Sequence, residues 1–400
     1  MRVPLLDLSE QYRALAEPIR SEIDQVLDSQ HFILGPKVAA LEEAIAQYCN
    51  APHAIGVSSG TDALLAILMA LEIGPGDAVI TTAYTFFATA GCIARVGARP
   101  LFVDIDPTTF NISPAAVERF IEEHCHSGPN GCLVDEHGAQ VRAIVPVHLF
   151  GLCCEMDPLL DLAARHQLRL IEDAAQAIGA EYPRSSGAAR AGTMGECGYF
   201  SFYPSKNLGA AGDAGLIVCH DHGLANKLRV CRQHGMEPRY FHHSIGGNFR
   251  LDEIQAAILS VKLPRLDAWS AARRSVADAY REEFSRCGLI NQLTLPYEPF
   301  RNHGLTNHHI FHQYVISTDR RDALQQHLIK KNIGTAIYYP LGLHQQECFA
   351  YLGYSAGDLP ETERAARETL ALPIYPELPR ESVRYVVDSI AEFFRESRSG

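Results

Sequence analysis

The sequence predicts an α/β protein: a mostly parallel, partly mixed sheet of about seven strands, then a smaller α+β unit. Short runs rich in Val, Ile and Phe occur as AIGVSS, DAVITT, RPLFVDID, AIVPVHLFG, LRLIED, GYFSFY and GLIVCH. Several lack polar alternation, the mark of strands buried on both faces. Helical stretches at 61–72, 86–96, 114–124 and 157–167 separate the early runs and supply the crossovers that parallel pairing needs. Near residue 265 this alternation ends.

Taken in order, residues 1–35 read as an entry arm. LLDL precedes a helix from about Glu17 to Ser29 with apolar positions Ile19, Ile23, Val26 and Leu27. Gly35 and Pro36 break the chain before a second amphipathic helix. The runs near 198–203 and 215–219 lie too close for a helical crossover, so an antiparallel or irregular pair is expected there. The loop EPRYFHHSIGGNFRLDE then leads to a long helix starting near Asp252 and passing Pro264. These features divide the chain into a large domain over 1–265, arm included, and a small domain over 266–400. In the small domain, strands are expected in HHIFHQYVIST and TAIYYP, a helix in RDALQQHLIKKN and a final helix over 380–397.

Composition excludes several functions. With 47% hydrophobic and 20% charged residues, the 400-residue chain has ample material for a core. A net charge of −12 argues against a nucleic-acid partner, whose binding needs clustered Lys and Arg. The opening MRVPLLDLSEQYRAL has no apolar signal core and no stretch is long and apolar enough to span a bilayer, so a cytoplasmic protein is expected. Eleven cysteines without C-x-x-C indicate neither a disulfide framework nor a zinc ribbon. His124, Cys125, His126, Cys132 and His137 are clustered soft ligands, but their spacing fits no standard metal pattern. With SGPNG and DEHG around them, 122–140 reads as a metal-free surface loop.

The chemistry centres on Gly198 to Gly215, GYFSFYPSKNLGAAGDAG. An aromatic strand breaks at Pro204 and delivers Lys206 into a glycine-rich turn. Apolar surroundings disfavour ammonium and free an amine to attack a carbonyl. Upstream, Asp173 ends the strand LRLIED, where α/β sheets present ligands. Glu172 points to the other face, and Gln176 lies one helical turn on. In SSGTDALLAILMAL a strand hands over to a helix whose first amides and dipole favour an anion. Gly60 admits close approach there and Thr61 adds a hydroxyl, although Ser58, Ser59 and Thr61 also read as a plain N-cap. Phe86 or Phe87 in TTAYTFFATAGCI could stack on a ring, or simply fill the core. A Schiff-base lysine, an acid for a pyridinium nitrogen and a phosphate-binding helix start are the protein parts a pyridoxal 5'-phosphate (PLP) site requires.

The order SSGTDAL, YTFFATA, PVHLFG, IEDAAQAIGA, FSFYPSKNLG, GDAG, RQHG and GGNFRLDEIQAAIL resembles the DegT/DnrJ/EryC1/StrS aminotransferases across nearly the whole chain. The resemblance implies a PLP enzyme of fold type I that aminates nucleotide-linked keto-sugars, with glutamate as amino donor. It makes Lys206 the Schiff-base and proton-shuttling lysine. Asp173 would pair with the pyridine nitrogen and Gln176 would contact the ring-oxygen side. Gly60, Thr61 and Ser201 would bind phosphate, Phe86 would stack on the ring, and Asn248 would reach the phosphate from the second subunit of a homodimer. His148 would lie near the ring edge, with Tyr339 and His344 on the substrate side. The 122–140 segment is longer than the family pattern. Transamination of other ketones or amines would use the same machinery. A sugar dehydratase of this family carries histidine in place of the lysine, which Lys206 opposes. The intact Lys206, Asp173 and Gln176 set likewise opposes a non-catalytic regulatory role. No G-x-G-x-x-G follows the first strand, which disfavours a nicotinamide oxidoreductase.

Overall fold

The structure, a computed structural model, describes residues 1–185 and 187–396. Helices α1 (Ser9–Ser29) and α2 (Pro36–Cys49) come first. There follow β1 (His53–Val57), α3 (Gly60–Ala70), β2 (Asp77–Thr82), α4 (Ala88–Arg95), β3 (Arg99–Val103) and α5 (Pro114–His124). Next come β4 (Cys125–Ser127), β5 (Leu133–Asp135), β6 (Gln140–Val145), α6 (Met156–Arg165) and β7 (Arg169–Asp173). A hairpin, β8 (Glu181–Arg184) and β9 (Gly187–Arg190), precedes β10 (Cys197–Ser201), β11 (Gly215–Cys219), α7 (His222–Cys231) and α8 (Glu253–Lys262). The remainder is α9 (Leu266–Arg286), β12 (Tyr314–Ser317), α10 (Arg321–Lys330), α11 (Pro360–Glu368), β13 (Thr369–Leu372) and α12 (Arg380–Glu396).

The main sheet runs β1-β11-β10-β7-β6-β2-β3. Every neighbouring pair is parallel except the two made by β11, which runs against both β1 and β10. The short spacing between β10 and β11 predicts that reversal. Along each strand the side chains alternate between two cores. Ala78 and Ile80 join the one built with α2, α5 and α6, while Val79 joins the one built with α3, α4 and α7. In β7, Leu170 faces the first core and Ile171 the second. Pleating therefore sends Glu172 and Asp173 to opposite faces. The C-terminal ends of β1, β2, β7 and β10 share one edge of the sheet, and that edge carries the site.

A further core lies among Tyr280, Phe284, Tyr314, Ile316, Leu328, Leu370, Val386 and Ile390. Val3 belongs to it and pairs its backbone with Asn332 and Gly334, so the first residues of the arm join this later part of the chain.

Three expectations need correction. Helix α1 starts at Ser9 rather than near Glu17, with Pro18 inside it. TAIYYP is not a strand; apart from one bridge, Ala336 to Ala371, it is irregular. The partner of β12 is β13. Finally, 122–140 is more than a surface loop. Strands β4 and β5 form a hairpin, Val134 pairs with Gln140 at the start of β6, and Leu133 enters the first core. Among the described residues no group of three or more His, Cys, Asp or Glu is arranged to hold a metal ion. No helix among them is long and apolar enough to cross a membrane.

Candidate active site

The strand-to-helix turn after β1 forms one wall. Ser59 caps α3: its Oγ accepts from Asp62 N at 3.0 Å and its carbonyl from Ala63 N at 2.9 Å. The amides of Gly60 and Thr61 have no acceptor among the described residues. Gly60 packs on the end of β10; a Cβ there would stand 2.8 Å from Ser201 Cβ. Gly215 is equally constrained, since its Cβ would lie 2.4 Å from the Ser59 carbonyl carbon. Two free amides at a helix start, with the Thr61 and Ser201 hydroxyls beside them, form a donor set suited to a phosphate dianion.

Lys206 follows Pro204, with its backbone N–H on Tyr203 O at 2.8 Å. Part of the side chain remains open to the site, but protein surrounds the amine. Burial lowers its pKa from 10.5 to about 8, opposed by the Asp173 carboxylate, which favours the charged form. At pH 7 roughly a tenth of such an amine is neutral, against about 0.03% for an ordinary lysine. The lowered pKa thus enlarges the neutral fraction of the amine available to attack a carbonyl.

Asp173 is almost fully buried at the end of β7. Its Oδ2 accepts from Thr89 Oγ1 at 2.8 Å and its Oδ1 from Ala175 N at 3.1 Å. No salt bridge reaches it among the described residues, although its charge acts on the Lys206 amine. A buried carboxylate with hydrogen-bond donors and no directly bonded cation suits a protonated ring nitrogen. Tyr199 stands opposite Asp173 in the β10–β7 ladder. Burial pushes its phenol well above the usual range, and the carboxylate adds to the shift.

Gln176 is held in a definite orientation. Its Oε1 accepts from Phe150 N at 2.8 Å and its Nε2 donates to Tyr339 Oη at 3.2 Å. Tyr339 is in turn 6.4 Å from the Phe86 ring, centroid to centroid. Phe86 is 58% exposed, a large apolar surface facing solvent at the site edge. Gln176, Tyr339 and Phe86 therefore line one side together. Phe87 instead leans towards Phe349, with ring centroids 5.7 Å apart.

Two expected residues do not line the site. His148 is fully buried, with both ring nitrogens engaged: Nδ1 accepts from Cys154 N at 3.0 Å, so Nε2 carries the proton and donates to Glu172 Oε2 at 2.8 Å. Glu172 also gathers the amides of Gly192, Met194 and Gly195. This cluster lies on the opposite face from Asp173 and braces the strand end from behind. His344 is buried as well, against Glu363 at 3.3 Å and Tyr354, so it too leaves the ligand side. Asn248 is exposed and bridges to Gln233; among the described residues no hydrogen bond joins its side chain to Lys206, Asp173 or Ser201. The sequence reading missed Thr89, Tyr199, Asn207 and His312. Only Asn207, beside Lys206, carried any local signal.

A family model for the DegT/DnrJ/EryC1/StrS aminotransferase family matches residues 14–391. The chain is 49% identical to a pleiotropic regulatory protein of Geobacillus stearothermophilus, covering 99% of each. It is 41% identical to a UDP-N-acetyl-3-dehydro-alpha-D-glucosamine 3-aminotransferase of Acidithiobacillus ferrooxidans, covering 97% of each. The fold superposes on S. venezuelae DesV, solved in complex with a ketimine intermediate, with a TM-score of 0.88 and 37% identity over 98% of both chains. Matched from end to end in sequence and in fold, the chain belongs to the DegT/DnrJ/EryC1/StrS family and is a PLP-dependent aminotransferase.

Proposed function

We propose that the enzyme transfers an amino group from glutamate to a nucleotide-linked keto-sugar, as a cytoplasmic homodimer with shared sites. One observation carries the chemical part: a lysine whose amine is lowered to about 8 lies within electrostatic reach of buried Asp173, at the sheet edge that also presents the free amides of a helix start. The acceptor class rests on relatives such as the Acidithiobacillus ferrooxidans UDP-sugar 3-aminotransferase.

Bound here, PLP supplies a carbonyl that links to amines and a ring that accepts the electron pair left on carbon. Gly60, Thr61 and Ser201 would hold its phosphate through amides and hydroxyls. Asp173, fixed by Thr89 and Ala175, would keep a proton on the ring nitrogen. Gln176, fixed by Phe150 and Tyr339, would meet the ring-oxygen side, and Phe86 would cover one face. Lys206 Nζ is the amine that would hold the cofactor, and as a free amine it would serve as the base beside the donor's α-carbon. Tyr339, beside Gln176 and Phe86, would face the acceptor sugar.

The dimer proposal is supported by the loop leading to Asn248. Tyr240, Phe241 and Ile245 there are 74%, 63% and 86% exposed, more apolar surface than a monomer usually presents in one loop. Asn248 on that loop would donate to the phosphate of the neighbouring subunit. Mixing Lys206→Ala with Asn248→Ala subunits tests this: random pairing should restore about a quarter of wild-type activity, because half the dimers hold one intact site. No recovery would place Asn248 in its own subunit's site. The substrate assignment is tested by loading purified enzyme with glutamate and offering UDP- and dTDP-linked keto-sugars. Turnover of simple keto acids alone would favour a transaminase of other ketones. A regulatory name attaches to the Geobacillus stearothermophilus relative, but a pure binding protein has no use for a lysine so perturbed.

A further inference from the structure

Residues 310–313, on the way into β12, touch both sides of the site. On one side Ile310 N donates to Gly151 O at 3.0 Å and Gln313 N to Phe150 O at 3.4 Å. Phe150 is the residue whose amide fixes Gln176. On the other side lies Asn207, buried and adjacent to Lys206 in the chain. Its Nδ2 donates to Ile310 O at 3.0 Å, which leaves Oδ1 facing His312 Nδ1 at 3.1 Å. The imidazole proton is therefore on Nδ1, donated to Asn207, and Nε2 is the unprotonated nitrogen, facing Gln313 Nε2 at 3.5 Å.

We propose that His312 is a positioning residue for Lys206: a neutral imidazole, held as the Nδ1–H tautomer, that fixes Asn207 and thereby the backbone that aims the lysine amine. The proposal rests on the reading of Lys206 as the Schiff-base lysine. The surroundings keep the ring uncharged. Burial is the main cause, and two cations add to it: Lys206 and Arg273, whose guanidinium spans the carbonyls of Phe311, His312 and Ile374. The acids of this neighbourhood act elsewhere, Glu377 on Arg273 and Asp173 on Lys206. Neutrality matters because an imidazolium beside Lys206 would repel its charged forms. The strap also links the two sides of the site, since it bonds Phe150, whose amide fixes Gln176, and Asn207, the chain neighbour of Lys206.

The test compares His312→Leu with His312→Gln in PLP-loaded enzyme. Borohydride labelling of Lys206 is checked first in wild type, so failure of the underlying reading is seen separately. Four quantities are then measured: kcat, KM for glutamate, the thermal midpoint, and the pH midpoint of the visible absorption of the lysine-linked cofactor. For His312→Leu, kcat should fall about tenfold with KM within about twofold, as for a misaimed reactive group. Its absorption midpoint should move to lower pH, because leucine solvates a neighbouring cation less well than imidazole. His312→Gln, which can still donate to Asn207, should restore both. A midpoint that rises would show that His312 is cationic and overturn the proposal. A lowered thermal midpoint with kcat and absorption unchanged would overturn it too, leaving His312 a packing residue. If His312→Leu does not fold, Asn207→Ser must show the same fall in kcat and midpoint; unchanged values refute the role.

Discussion

Replacing Asp173 by Asn separates two effects that a merely structural acid would not show. The change is isosteric: Ala175 N, at 3.1 Å, keeps the amide oxygen, while Thr89 Oγ1, at 2.8 Å, can accept from the new NH2 instead of donating. The shape is kept and the charge is lost. The Lys206 amine is displaced from 10.5 to about 8, roughly 3 kcal/mol against ammonium, and Asp173 is the one charge opposing that displacement. Removing it should lower the lysine pKa further and enlarge the neutral fraction at pH 7. Nucleophilicity alone would then rise. Turnover should nevertheless fall, because the ring nitrogen loses its counterion. A preorganised electrostatic partner of this kind contributes about 3–4 kcal/mol, so the loss should be roughly 100- to 1,000-fold. The assay is single-turnover reaction of PLP-loaded enzyme with glutamate, followed by absorbance, alongside pH-dependent acylation of Lys206 read by mass spectrometry. Near wild-type turnover would reduce Asp173 to a cap for Ala175 and refute the reasoning.

Gly60→Ala should weaken PLP binding by about tenfold or more while the protein stays folded, since the new Cβ meets Ser201 Cβ at 2.8 Å in the phosphate cradle. Spectrophotometric titration decides it, and unchanged affinity would move the phosphate elsewhere. Stability should fall on acidification in two stages. His309, buried, has its pKa lowered from 6.5 to about 3, so the unfolded chain takes up a proton first and stability present above 6.5 is lost as pH drops towards 3. Glu298, gripped by His308, Arg281 and Arg301, is lowered from 4.5 to about 2, and its contribution is lost between those values. Each proton corresponds to a slope of up to about 1.4 kcal/mol per pH unit, so a denaturation midpoint that stays flat between pH 6.5 and 5 would contradict the His309 part.

What the sequence disclosed follows physical range. The parallel sheet was readable because buried strands are continuous apolar runs, and the β10–β11 reversal because a short link cannot hold a crossover. Lys206, Asp173 and Gly60 were legible as candidates because they stand beside strand ends or helix starts, as the structure also has them. Thr89, Tyr199 and His312 did not, since their meaning lies in contacts with residues far away in the chain. Thr89 is an ordinary helix threonine until it meets Asp173. His148 and His344 misled for the same reason: a histidine in a motif reads as a ligand, whereas burial and two occupied ring nitrogens make His148 a brace. Strand β13 was missed because four residues, TLAL, between a helix and PIYP carry too little pattern. The hairpin in 122–140 was hidden by turn residues that are its two ends.

The central claim is that Lys206 is the amine that holds the cofactor. Purified enzyme, reduced with borohydride and digested, should yield one peptide carrying the reduced PLP adduct, at Lys206 within YPSKNLG. Lys262 is the natural competitor, being largely buried with its own pKa lowered, but its ammonium is spent on Gly209 O at 2.6 Å. An adduct on Lys262 or any other lysine, or none at all in yellow protein, would contradict the account.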